Sequence, residues 1–220
     1  MPPSLIVFDL DGTLIDSAAD LAAGVNAMLA GFGCAPLPLA EVRQMIGDGV
    51  AMLVTRALAA RGCEPADPAH ALQVFMRHYE SGATSLTTAF PGAADTLRAL
   101  RAAAIALAVC TNKPVRLSAD VLESLGLAQY FSRVIGGDSL PFHKPDPRVL
   151  LSLLEAFDVP PERSLLVGDS EVDAATARDA GVPFVLMKHG YRRGPAEDIA
   201  CISALESFGE LPALVGAPPP

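Results

Sequence analysis

A chain of 220 residues, 51% of them hydrophobic and with a positive mean hydropathy, excludes intrinsic disorder and is long enough for one buried core plus an inserted unit. Its net charge of −9, with no basic run, excludes a nucleic-acid or anionic-membrane surface, so attraction to any phosphate must be local. The four cysteines (Cys34, Cys63, Cys110, Cys201) lie far apart, without a C-x-x-C or histidine partners, and are expected to be reduced thiols of a cytoplasmic protein.

In chain order, the start Met-Pro-Pro-Ser lacks a basic segment. The apolar run at 5–8 is too short for a signal peptide or a membrane span and is expected to be the first strand. From about 18 to 85 the patterns are helical. Leu21, Val25, Met28, Leu29 and Phe32 form one stripe, Ser17 and Asp20 resemble a capping box, and Gly31 and Gly33 close the helix. Amphipathic stretches follow at 39–45, 51–60 and 69–79, before a return near Phe90-Pro91-Gly92. Then apolar runs at 105–110, 134–135, 165–167 and 184–187 alternate with helical patterns at 93–103, 115–125, 147–157 and 172–180. Runs without polar alternation are strands buried on both faces. The expected fold is therefore α/β: a doubly wound, Rossmann-like parallel sheet of residues 1–16 and 86–220, with a small α-helical cap, 17–85, inserted after the first strand. Ligands of such sheets sit beyond the carboxyl ends of the strands.

Four motifs occupy those ends. Asp9-Leu10-Asp11-Gly12-Thr13 places two carboxylates at i and i+2 on one side of an extended chain, where one attacks, the other moves protons and both share a cation. The alternative is an Asx-type turn capping the next helix. Thr111-Asn112-Lys113 offers a hydroxyl and an amide to a phosphate oxygen, or an N-cap ahead of Pro114. Lys144, beside Pro145, is a point cation able to neutralise phosphate or clamp a carboxylate, or else an ordinary solvated lysine. Gly168-Asp169-Ser170-Glu171-Val172-Asp173 puts Asp169 in a turn and Asp173 in the first turn of a helix, where acidic residues also suit the dipole. Asp9, Asp169 and the backbone carbonyl of Asp11 suit Mg²⁺, which takes oxygen ligands and retains waters. With Lys144, that cation reverses the local sign for an anionic substrate.

The motifs, in this order, resemble those of the haloacid dehalogenase superfamily of phosphatases over essentially the whole chain. The 9–29 block, Ile46-Gly47-Asp48-Gly49, Thr111-Asn112-Lys113-Pro114 and Ile135-Gly136-Gly137-Asp138-Ser139-Leu140 are similar to the phosphoglycolate phosphatase branch. The resemblance implies that Asp9 is the nucleophile and becomes phosphorylated, and that Asp11 is the general acid and then base. It implies that Thr111, Asn112 and Lys144 hold phosphoryl oxygens, that Asp169 is a metal ligand and that Asp173 acts from behind it. The cap would select the leaving group, with Gly47, Gly49 and Arg56 as candidates for its carboxylate. The expected partner is a small phosphorylated metabolite, most simply 2-phosphoglycolate, with no nucleic acid and no membrane, for a monomer or homodimer. A sugar-phosphate phosphatase or a β-phosphoglucomutase-like phosphotransferase is the alternative on this scaffold, and a non-catalytic phosphate-binding protein the alternative of another class. Asp11 argues against dehalogenation, and the absence of any lysine in 18–85 argues against phosphonate cleavage through a Schiff base.

Overall fold

Strand β1 (Leu5–Phe8) lies at the middle of a six-stranded sheet and is fully buried. The computed structural model describes residues 2–65, 67–82 and 84–219. The other sheet strands are β4 (Ala106–Cys110), β5 (Arg133–Ile135), β6 (Ser164–Gly168), β7 (Phe184–Met187) and β8 (Ser203–Leu205), in the order β5-β4-β1-β6-β7-β8, all parallel. From β1 the chain builds outward to β4 and β5 on one side and then returns to build β6, β7 and β8 on the other. The change of direction opens a crevice at the carboxyl end of β1.

Successive side chains of β1 point to opposite faces, and both faces are apolar. Ile6 and Phe8 join one core cluster with Leu97 and Leu100 of α5 (Ala93–Ala102) and Val121 and Leu122 of α6 (Val115–Ser124). Leu5 and Val7 join the other, with Leu150 and Leu153 of α7 (Arg148–Phe157) and Ala177 of α8 (Glu171–Ala180). Burial on both faces explains why these strands read as continuous apolar runs. The short α9 (Leu211–Leu214) completes the first layer.

Between β1 and α5 the chain forms a two-stranded antiparallel ladder of β2 (Ile15–Asp16) and β3 (Thr88–Ala89), which brackets four helices. These are α1 (Ala18–Gly31), α2 (Leu39–Arg43), α3 (Val50–Ala60) and α4 (Pro68–Gly82), and they share an apolar cluster that Leu117 of α6 and Tyr191 join from the sheet side. The ladder went unpredicted because two-residue strands carry no periodicity. Gly24 lets α1 approach α4: a Cβ there would stand 3.1 Å from Phe75 Cε2.

Two expectations are corrected here. Ser17 makes no side-chain cap for α1. Its hydroxyl reaches Asp11, while Asp20 accepts from the Leu86 and Thr87 amides and the Thr87 hydroxyl, tying the entry of the helical segment to its exit. Cys34 and Cys63 are joined as a disulfide, with Cα atoms 6.6 Å apart, whereas Cys110 and Cys201 are free. Each bridged cysteine follows a glycine of positive φ, and α1 and α3 close on the same hydrogen bonds. Gly33 and Cys34 donate to Ala30 and Leu29, as Gly62 and Cys63 do to Ala59 and Leu58. The sequence carries this as a repeated Leu-x-x-x-Gly-Cys, which spacing between cysteines alone does not reveal. Among the described residues no helix is long and apolar enough to cross a membrane.

Phe75 is fully buried between α1 and α4 and stacks on Tyr79 at 5.4 Å. Phe75→Ala is expected to cost about 3–5 kcal/mol of folding stability, read by urea denaturation. A loss below about 1 kcal/mol would show that the helices repack without the ring.

Candidate active site

The turn after β1 is set by backbone bonds. The Asp9 amide donates to Val167 of β6 at 2.9 Å, and the Leu10 carbonyl accepts from Thr13, Leu14 and Ile15 at 3.2, 2.9 and 3.1 Å. Gly12 sits at φ +91°, and a Cβ there would be 2.5 Å from Asp169 Oδ2. Glycine is thus required twice over, by conformation and by space. Gly190 plays the same part from the other side, since a Cβ on it would overlap Asp169. Asp169 is fixed by Thr13 Oγ1, which donates to Oδ1 at 2.7 Å, and by the Tyr191 amide, which donates to Oδ2 at 2.7 Å.

Lys144 Nζ lies 2.7 Å from Asp9 Oδ1 and 2.5 Å from Asp173 Oδ1, with 2% of its side chain exposed. The other oxygen of Asp173 accepts from Ser170 Oγ at 2.6 Å and from the Ser170 and Asp169 amides, a capping box that opens α8. Ligand atoms of Asp9, Asp169 and Asp173 all lie within 4.8 Å of one another. Three buried carboxylates against one ammonium leave a formal charge of −2. Burial accordingly pushes Asp9 up to about 7, against the pull of Lys144 and with Asp173 adding to the rise; burial and the neighbouring charges of Asp173 and Asp9 push Asp169 well up too. Lys144 is disfavoured by burial, but Asp173 and Asp9 outweigh it and hold its charge firmly. The all-oxygen donor set, its spacing and its unbalanced negative charge fit a hard divalent cation.

Beside this cluster lies a neutral pair. Asp11 Oδ1 accepts from Ser17 Oγ at 2.6 Å and from Lys113 Nζ at 3.1 Å, with the second oxygen 3.4 Å from the ammonium. Lys113 also donates to the Tyr79 hydroxyl of α4, and its side chain is 1% exposed. Burial opposes its charge; Asp11 and Tyr79 more than compensate and hold the ammonium above the usual lysine range. Burial pushes the Tyr79 phenol up to about 12, so it remains a proton donor.

A small cleft opens over both groups, lined by Asp9, Asp11, Thr111, Lys113 and Tyr79 and by apolar Leu21, Ile46, Val50 and Leu53. Thr111 Oγ1 accepts the Lys113 amide at 3.2 Å, which leaves its O–H free to donate into the cleft. The N-cap alternative fails here, because Pro114 itself precedes the helix and the Val115 amide is taken by Asp138 at 2.8 Å.

Two expected residues behave differently. Both amide hydrogens of Asn112 are committed, to Gly47 O at 3.0 Å and Lys144 O at 2.9 Å, and its buried Oδ1 has no partner among the described residues. It is therefore a brace between the helical segment and the sheet, with no donor left for a phosphoryl oxygen. Arg56 is absent from the cleft wall: it pairs with Asp48 at 2.5 Å and donates to Met45 O. Asp48 also pairs with Arg193, so this loop is latched to the sheet by charge. Gly47 and Gly49 do line the cleft. The residues that sequence reasoning missed are Lys113, Tyr79, Thr13, Tyr191 and Gly190. Lys113 was in view within its motif, but nothing local signals that its partner is Asp11.

A family model described as haloacid dehalogenase-like hydrolase matches residues 6–187. A phosphoglycolate phosphatase of Cereibacter sphaeroides is 45% identical over 212 residues, covering 96% of each chain. One of Rhodospirillum rubrum is 42% identical over 224 residues, covering 99% of this chain and 93% of the relative. Among solved structures, a predicted phosphoglycolate phosphatase from Haemophilus somnus superposes with a TM-score of 0.93 at 31% identity, covering 96% and 97% of the two chains.

A carboxyl with a raised folded pKa stabilises the fold below its unfolded value and loses that contribution as pH rises through the folded one. Asp9 sets this window at about 4 to 7. In chelator, wild type should lose melting temperature relative to Asp9→Asn across that window, at about 2–4 °C per kcal/mol, and a divalent cation should restore it increasingly as pH rises. Parallel melting curves with and without the cation would refute the shared cluster.

Proposed function

The chain belongs to the haloacid dehalogenase-like hydrolase family, and from that premise we propose that it is a phosphoglycolate phosphatase, a phosphoric monoester hydrolase working through Asp9. The observation that carries the reading is the placement of Asp9 against Lys144 at 2.7 Å, in a cleft also lined by Asp11. Relatives bearing that name, matched over nearly the full length of both chains, support the substrate.

In this reading Lys144 holds Asp9 Oδ1, and the other carboxylate oxygen attacks phosphorus. The phosphorus–oxygen bond to glycolate breaks as Asp11 gives its proton to the leaving alkoxide. Asp11 then takes a proton from the water that attacks the aspartyl-phosphate, and inorganic phosphate and free Asp9 result. Ser17 and Lys113 orient Asp11 for both transfers. The Thr111 hydroxyl and Lys144 hold phosphoryl oxygens. Asp9, Asp169 and the Asp11 carbonyl would hold Mg²⁺, which when bound neutralises charge on the phosphoryl group. Asp173 fixes Lys144 and the turn that carries Asp169. Residues 17–85 serve as a cap over the core of 1–16 and 86–220, excluding water from the phosphoenzyme.

The test is phosphate release across 2-phosphoglycolate and a panel of sugar phosphates. Asp9→Asn should reduce turnover to background with the fold intact, and Asp11→Asn should slow it by about 10²–10⁴-fold. EDTA should stop release and Mg²⁺ restore it. Activity retained in Asp9→Asn would refute the nucleophile, and preference for a sugar phosphate would keep the chemistry and overturn the substrate.

A further inference from the structure

A phosphoglycolate phosphatase must bury a carboxylate one methylene away from the ester oxygen, and that charge needs a partner. The helical segment supplies no cation to it. Residues 18–85 contain no lysine; Arg43, Arg56 and Arg61 are each ion-paired, with Asp16, Asp48 and Glu41, and Arg77 is exposed and absent from the cleft wall. Lys144 is enclosed by Asp9 and Asp173 at the phosphoryl end. On the upper wall the side chains of Leu21, Ile46, Val50 and Leu53 are apolar, and Gly47 and Gly49 bring no charge. That leaves Lys113 as the cation on the cleft wall.

Its donors are poised for an anion. A lysine ammonium has three N–H groups. Asp11 and Tyr79 account for two of them, and one remains. Tyr79 accepts from Lys113 through its oxygen, so its own O–H is left to donate, and the phenol also lines the cleft. Lys113 Nζ is 3.1 Å from Asp11, the residue assigned to the leaving oxygen, so a carboxylate one methylene beyond that oxygen lies within its reach.

We propose that Lys113 and Tyr79 form the subsite for the leaving-group carboxylate: the ammonium and the phenol O–H each donate to it. The inference rests on the phosphoglycolate reading above. Selectivity then comes from the sheet side, through a lysine next to the phosphate-binding Thr111, with one tyrosine of α4 completing the subsite when the helices lie over it. Because both groups are desolvated, a substrate without a carboxylate leaves a buried donor pair without its acceptor, which is how strong discrimination arises.

The experiment compares 2-phosphoglycolate with ethyl phosphate, which keeps the ester and lacks the carboxylate, in wild type, Lys113→Met and Tyr79→Phe. Since Lys113 also orients Asp11, its loss slows both substrates, so the informative quantity is the ratio of their kcat/KM values. That ratio should fall about 10- to 100-fold in Lys113→Met and about 3- to 10-fold in Tyr79→Phe, with weaker competitive inhibition by glycolate in both. An unchanged ratio and unchanged glycolate inhibition, with both substrates slowed equally, would overturn the subsite. Tyr79→Phe carries the test by itself should Lys113→Met fail to fold. A wild-type enzyme that does not prefer phosphoglycolate to ethyl phosphate would reject the substrate reading, and the subsite with it, before any variant is compared.

Discussion

The structure depends on a buried excess of negative charge at the carboxyl end of β1. Asp9, Asp169 and Asp173 cluster around a single ammonium, that of Lys144, which pairs with Asp9 and Asp173 and leaves Asp169 without an ion-pair partner among the described residues, with almost no contact to solvent. No arrangement of these four groups neutralises itself, and removing any carboxylate from water costs several kcal/mol unless its lone pairs are met. The surrounding chain is organised around that cost. Thr13 and the Tyr191 amide meet Asp169, Ser170 and two amides meet Asp173, and Gly12 and Gly190 leave the space in which these contacts fit. What remains unmet is charge, and a divalent cation supplies that in the currency the cluster lacks. The overall acidity of the chain is therefore no obstacle to an anionic substrate, since the field that matters is set within a few residues of Asp9.

The second charged unit behaves oppositely. Asp11 and Lys113 are matched one to one, and both touch the helical segment, Asp11 through Ser17 and Lys113 through Tyr79. The two ends of the cleft thus differ in kind: one is short of positive charge and suits a cation with a phosphoryl group, the other is balanced and has spare donors. A small ester that is anionic at both ends finds a different reason to bind at each, and this orients it before any chemistry begins.

Much of this was legible in the sequence, for a physical reason. Strands buried on both faces must be continuous apolar runs, so β1, β4, β6 and β7 were visible, and the residues after β1, β4 and β6 had to lie near the crevice. Asp9, Thr111 and Asp169 were found in that way. What stayed hidden depends on contacts between distant segments. Ser17 and Asp20 have the composition of a capping box, yet they serve Asp11 and the return of the chain at Thr87. Arg56 has the right charge for a carboxylate, but Asp48 claims it. Asn112 has the right donors, which two carbonyls take instead. In each case the residue type was read correctly and the partner was not, because hydrogen-bonding capacity is local while its satisfaction is tertiary.

The same distinction bears on how the cleft can open. Inside the helical segment the cohesion is apolar, built on Val25, Met28, Phe75 and their neighbours, and on the bridge between Cys34 and Cys63. Toward the sheet, the contacts are mostly polar, the Asn112 amide on Gly47, the Asp48–Arg193 and Glu80–Arg116 pairs and Lys113 on Tyr79, with Leu117 and Tyr191 the apolar residues that join the helices' cluster. Water can replace polar contacts of this sort at small net cost, whereas it cannot replace buried aliphatic packing. Separation along this mostly polar seam therefore costs less than deformation of the helices, which favours movement of the segment as a unit. Because Tyr79 belongs to that unit and Lys113 to the sheet, the donor pair is complete only when the seam is closed. On the proposed subsite, recognition of the leaving group and exclusion of water become one event, produced by the same contact.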